Sequence, residues 1–133
     1  MKANWIAKWK MRVWLSMAVL VFFMPIEAMC NSYKEVSLDR KVEISELVVI
    51  AKVVSVSSVA CGEKVSCAVV HVSDVLKGRA PPEIVVIFEG PIAELNPPCC
   101  EIGSTYLFFL RGDGRGHFES VNGPYGVYEI SSD

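Results

Sequence analysis

The sequence predicts an all-β domain: a small closed or partly open antiparallel barrel of five to six strands with one short helix, following an amino-terminal export signal. Three observations lead there. From residue 47 onward, β-branched and aromatic residues gather in short runs separated by glycine- and proline-bearing stretches. All three tryptophans and all five methionines lie at or before Met29, so the composition changes abruptly at that point. The five cysteines all follow it.

The opening residues read as a secretory signal. Lys2, Lys8, Lys10 and Arg12 give a basic leading end with no acid among them, and Val13 to Met24 is an apolar run interrupted only by Ser16. A helix that crosses a membrane needs roughly 20 apolar residues. This run stops at Pro25, well short of that. Ala28 offers the small residue an exporting peptidase requires, so cleavage is expected after it. The expected organisation is a signal peptide over 1–28, an amino-terminal segment with a short helix over 29–44, and a β-barrel domain over 45–133. A lipoprotein acylated at Cys30 is the alternative, but its recognition site wants an aliphatic residue where Glu27 stands and a small one where Met29 stands. The expected location is periplasmic or secreted, with no membrane span after cleavage.

Cleavage there leaves nine basic residues against 14 acidic ones, a net charge of −5. A chain of that sign has no electrostatic reason to bind a phosphate backbone, so nucleic acid is not an expected partner. The remaining 105 residues suffice for one domain with one core. Outside the cytosol thiols pair. Cys61 and Cys67 flank a turn-like stretch, Gly62 to Ser66, and are the first expected pair. Cys99 and Cys100 are neighbours, and a direct bond between them departs from ordinary disulfide geometry. One of them is therefore expected to hold Cys30, leaving the other free or available for an intermolecular bridge. The oligomeric state is not readable from the sequence.

The elements follow in order. Leu38 to Glu46 mixes charged and aliphatic residues as one or two helical turns do, with Ser37 placed to cap them. Leu47 to Ser57 is a long strand, and Val65 to Leu76 is a second. In the second, Val65, Cys67, Val69 and His71 share one face, while Ala68, Val70, Val72 and Leu76 share the other. Pro81 and Pro82 break the chain before a third strand, Glu83 to Glu89. Gly90 to Pro98 carries three prolines and reads as a surface excursion. Ser104 to Leu110 is the strand expected to be most buried. The glycine run at 112–116 fits a hairpin, and Phe118 to Val121 and Tyr125 to Ile130 are two short strands around Asn122-Gly123. Apolar residues on both faces of the longest strands argue for a sheet that closes on itself and removes its edges.

Val48-Val49-Ile50-Ala51-Lys52-Val53, a strand ending Val75-Leu76-Lys77-Gly78, and Cys100-Glu101-Ile102-Gly103-Ser104-Thr105-Tyr106-Leu107-Phe108 together resemble small exported bacterial domains similar to the tissue inhibitors of metalloproteinases and netrin-like modules. The resemblance spans most of residues 45 to 130 and implies an OB-type barrel. In the animal inhibitors the first mature cysteine offers its amino group and carbonyl to a protease's catalytic zinc, with a second cysteine two residues on. Cys30 is the position here that matches the first; Met29 precedes it in the expected mature chain, and Ser32 stands at the second.

No residue cluster in the sequence carries identifiable catalytic chemistry. Only His71 and His117 offer a base without a large pKa shift, and neither adjoins an obvious nucleophile. No cysteine and histidine spacing matches a known zinc module. The expected function is thus a non-catalytic exported module, with no cofactor or metal, that binds a protein or envelope component. Its expected contact residues are Glu94, Asn96, Pro97 and Pro98 in the proline-bearing loop. Two other classes compete: a metal- or thiol-dependent periplasmic protein using Cys99, Cys100 and a histidine, and an oligosaccharide-binding barrel using Tyr125 and Tyr128 as stacking platforms.

Overall fold

A computed structural model describes residues 33–130. The expected export signal, its cut and Cys30 lie outside the described residues. Helix α1 (Leu38–Ile44) is followed by β1 (Leu47–Ser57), β2 (Ser66–Lys77), β3 (Glu83–Glu89), β4 (Thr105–Gly112), β5 (Phe118–Ser120) and β6 (Val127–Ile130). Single 3-10 turns occupy Ala93–Leu95 and Gly123–Tyr125.

Strand β1 pairs with β2 on one side and with β4 on the other, so the order β1-β2-β3-β5-β4 returns to β1 and closes a five-stranded barrel. Strand β6 is additional. It pairs with Thr105 to Phe108 of β4, while β5 pairs with Leu110 to Gly112. One join corrects the expectation of an antiparallel barrel. Val86 and Ile87 of β3 lie parallel to Phe118 and Glu119 of β5, which makes the barrel mixed. The cause is the chain path. The long excursion between β3 and β4 lets β4 and β5 form their own hairpin, and the second arm of that hairpin returns in the direction of β3.

Alternation with period two sends Leu47, Val49, Ala51 and Val53 of β1 inward, where they meet Val70, Val86, Tyr106, Phe108 and Leu110. Each of the valine, leucine and phenylalanine side chains among them, fully buried, contributes about 1.5–3 kcal/mol through loss of apolar surface to water. The opposite face of the same wall is also apolar, because Val48, Phe109 and Val121 form a second cluster with Leu107 against it. In β2 the alternation is interrupted. The pairing with β1 passes over Ser73 and Leu76, and these bulged positions turn Leu76 out to 62 % exposure, against its expected place beside Ala68 and Val70.

Helix α1 is capped as its sequence implies. Ser37 Oγ accepts the Arg40 N–H at 3.3 Å, and Asp39 lies in the first turn. At the other end Lys77 Nζ donates to the carbonyls of Val42 and Ser45 at 2.7 and 2.6 Å, satisfying oxygens that the helix leaves unpaired. Gly78 follows in the left-handed region, at φ +84°, and a Cβ there would run into the Glu46 carbonyl oxygen.

The polarity of α1 is the reverse of an ordinary surface helix. Leu38 and Val42 face out, whereas Lys41 is 1 % exposed. The lysine Nζ donates to Glu35 Oε1 at 2.5 Å and to the Tyr128 hydroxyl, and that hydroxyl donates to Glu35 Oε1 at 3.1 Å. The ammonium lies 5.0 Å from the Tyr128 ring centroid but meets the ring through its hydroxyl rather than its face. Covering side chains rather than depth in the core hide it. Asn122, left-handed at φ 56°, adds a second tie: its Oδ1 accepts the Val36 N–H at 2.9 Å and its Nδ2 donates to the Lys34 carbonyl at 3.1 Å. Residues 34–36 are thereby strapped to the barrel beside β6.

This strap predicts a pH dependence. The hydrogen bond from Lys41, then that from Tyr128, holds the Glu35 carboxyl below its ordinary value of 4.5. Burial pulls Lys41 down, but its hydrogen bonds to Glu35 and Tyr128 outweigh burial and leave it above 10.5. The carboxylate's contribution to stability is therefore complete above pH 4.5 and lost as pH falls through its lowered value. The ammonium's contribution is complete below pH 10.5 and lost as pH rises through its raised value. Glu35→Gln is expected to flatten the acid limb of a urea-midpoint against pH profile; an unchanged acid limb contradicts the strap.

Candidate functional site

The proline-bearing excursion shapes a concavity at one end of the barrel. A groove of about 310 Å³ opens where β3 ends and the chain leaves the barrel. Ile87, Ile92 and Leu95 give it apolar walls, and Glu89, Arg111 and Glu119 give it charge. The loop holds its own shape: Asn96 Oδ1 accepts the Gly90 N–H at 2.9 Å, and Leu95 N–H bonds back to the Ile92 carbonyl at 3.1 Å. Its far end is tied to the barrel, since the Glu101 N–H donates to the Tyr106 hydroxyl at 3.1 Å. Tyr33 also lines the groove, close against Gly123.

Of the four expected contact residues, the structure places Asn96 and Pro97 in the groove lining and leaves Glu94 and Pro98 outside it. Pro97 is buried, Asn96 is half-buried and spends its Oδ1 on the loop, and Glu94 and Pro98 are exposed. The groove's own apolar surface comes from neighbours the sequence reading did not single out. Ile92 is 53 % exposed and Leu95 38 %. The sequence signal for them was present, two large aliphatic residues inside a proline-bounded polar loop, which have no place in a core.

Charge in the groove is unevenly met. Arg111 Nε and Glu119 Oε1 pair at 2.8 Å across the β4–β5 hairpin. Glu89 is exposed and accepts one hydrogen bond, from Ser66 Oγ at 2.7 Å. Among the described residues neither Glu89 nor Glu94 takes part in an ion pair.

Among the described residues the cysteines join in two pairs. Cys61 and Cys67 are bridged, with Cα atoms 6.1 Å apart, across the turn that carries Gly62 and Lys64 in the left-handed region. Cys99 is bridged to its neighbour Cys100 and both pack against the barrel core, while the link to Cys30 expected from the sequence lies outside the described residues. Together these bonds use all four described cysteines, so a thiol site at Cys99 and Cys100 requires their reduction first.

The remaining candidates are dispersed. His71 is exposed on β2, between Lys52 and Glu83 in the ladder. His117 closes the β4–β5 hairpin: its Nδ1 lies 3.1 Å from Asp113 Oδ2, and Asp113 Oδ1 accepts the N–H groups of Arg115 and His117 at 2.7 and 3.0 Å. Those bonds, the one from Arg115 first, hold the Asp113 carboxyl below its ordinary value. Among the described residues no three His, Cys, Asp or Glu side chains gather as a metal site. Tyr128 is drawn into the strap, with its ring edge-on to Phe109 at 6.1 Å, while Tyr125 is 36 % exposed at the end of the second 3-10 turn. A second depression, about 580 Å³ but lined by fewer residues, lies over the strap at Leu38, Leu107 and Tyr128. Among the described residues no helix is long and apolar enough to cross a membrane.

No family model matches the chain, and the search of curated proteins finds no match.

Proposed function

We propose that the chain is an exported, non-catalytic binding module that grips a protein or envelope component through the groove at the end of β3. The observation that carries this reading is the pairing of a self-braced loop with exposed aliphatic side chains. Ile92 and Leu95 are held facing a concavity by the Asn96 bond to Gly90, so a partner meets apolar surface already in place. Preorganisation of this kind lowers the ordering entropy that association must overcome. The sequence resemblance of residues 45 to 130 to inhibitor-type OB barrels supports the same reading, and a strand order that closes as β1-β2-β3-β5-β4 is compatible with it. A protease is one member of the proposed partner class.

In-cell photocross-linking tests this reading. An aryl-ketone amino acid replaces Ile92 or Leu95 in the full chain, and, as a control, His71 at the other end of the barrel wall. The expected result is one discrete covalent adduct with the same protein from both groove positions and none from the control. The adduct must form again with that protein purified, and Ile92→Ser must weaken the purified pair. Adducts of equal yield from position 71, or none from 92 and 95, contradict the groove as contact face.

A further inference from the structure

We infer that the groove's partner presents a short peptide segment in which lysine or arginine adjoins an aliphatic side chain; this rests on the groove being the contact face. Three features of the groove select that chemistry. First, Glu89 stands at its rim with a carboxylate that receives only the Ser66 hydroxyl at 2.7 Å and no cation among the described residues. Glu94, on the same loop, is likewise unpaired among them, whereas Arg111 is neutralised by Glu119 at 2.8 Å. The free charge at the groove is thus negative. It sits on a domain with a surplus of acidic residues, whose field draws cationic segments and repels acidic ones.

Second, Ile87, Ile92 and Leu95 form the apolar side of the same concavity, beside Glu89. An aliphatic side chain fills that side, while the adjoining ammonium or guanidinium reaches the carboxylate. Third, the volume, about 310 Å³, is at the lower end of the roughly 300–1,000 Å³ seen for small-molecule pockets. It accommodates a pair of side chains rather than a cofactor. A second copy of the chain is the competing occupant, through exposed Leu76 beside Lys77. It fits less well, because Lys77 Nζ already donates to the carbonyls of Val42, Glu43 and Ser45 and offers no free cation.

The test uses the isotopically labelled product exported by cells expressing the full chain, titrated with three capped octapeptides. One alternates lysine and leucine at its centre, one replaces those lysines by glutamate, and one replaces those leucines by serine. The expected result is amide shifts confined to Ile87, Glu89, Ile92, Leu95 and Glu119 with the lysine–leucine peptide, and about tenfold weaker binding of the other two. Glu89→Gln is expected to weaken the lysine–leucine peptide roughly threefold, as removal of one rim charge does. Equal affinity for the glutamate peptide, or no effect of Glu89→Gln, overturns the cationic partner. Concentration-dependent self-association that shifts the same amides overturns it in favour of a second copy. Absence of any peptide binding while cross-links at positions 92 and 95 persist refutes this inference alone; absence of both refutes the contact face as well.

Discussion

Truncating Phe108 to alanine is expected to lower the free energy of unfolding by about 3–5 kcal/mol, read from the urea midpoint at constant m-value. Phe108 is 0 % exposed at the centre of β4, the strand with three partners, and its ring packs against Tyr106 with centroids 5.7 Å apart. Removing the ring forfeits its transfer free energy and leaves a cavity beneath β1 and β6 at once. Domains of this size are stable by only about 5–15 kcal/mol. A loss below about 1 kcal/mol would mean that the barrel interior is not packed as described.

Gly126→Ala is expected to destabilise by about 2–3 kcal/mol through overpacking rather than a cavity. Gly126 is buried with φ −104°, a value open to any residue, so backbone strain is not the cause. A Cβ there would instead occupy the place of the Val121 carbonyl oxygen and Ser120 Oγ, neither of which is the free end of a long side chain. Ser120 Oγ is itself bonded to the Gly123 carbonyl at 2.7 Å, and the Gly126 carbonyl accepts the Phe109 N–H at 2.8 Å. Relieving the clash therefore moves the start of β6 and with it Tyr128. The variant is expected to lose the strap's contribution across the neutral range, so that both limbs of the pH profile flatten while stability at its optimum falls. Unaltered stability by thermal unfolding would show that the 120–126 turn yields freely.

Much of this barrel was legible because its strands are local statements. Leu47 to Ser57 and Glu83 to Glu89 have the bounds the β-branched runs imply, and Ser37 caps α1 where its side chain was expected to. Closure was legible too, from apolar residues on both faces of β1, since Val49 fills the interior and Val48 the outer cluster. What periodicity misses is pairing at a distance. The parallel join of β3 to β5 depends on the path of an intervening hairpin, and no residue in either strand encodes its direction. The two short strands around Asn122-Gly123 do not pair with each other, because both take β4 as their partner.

The buried lysine is the sharpest case. A pattern of Leu38, Lys41 and Val42 reads as a helix with its lysine in water, yet Glu35 and Tyr128 supply the partners that let it turn inward. Tyr128 lies 87 residues away, beyond any local window. The groove was half legible for a related reason. The prolines marked the loop, but which side chains face the concavity follows from the Asn96 bond and from Glu89 and Arg111 on separate strands. Composition alone favoured the polar and proline residues; the fold favours Ile92 and Leu95.

Intact-mass analysis of the product recovered from cells, before and after reduction, tests most directly the claim on which the rest depends, that a leader-free, bridged barrel works outside the cytosol. The account predicts a polypeptide beginning at Met29 that gains two hydrogens for each of two bridges on reduction. Recovery of the chain from the cytosol with all 133 residues and every thiol free would contradict it.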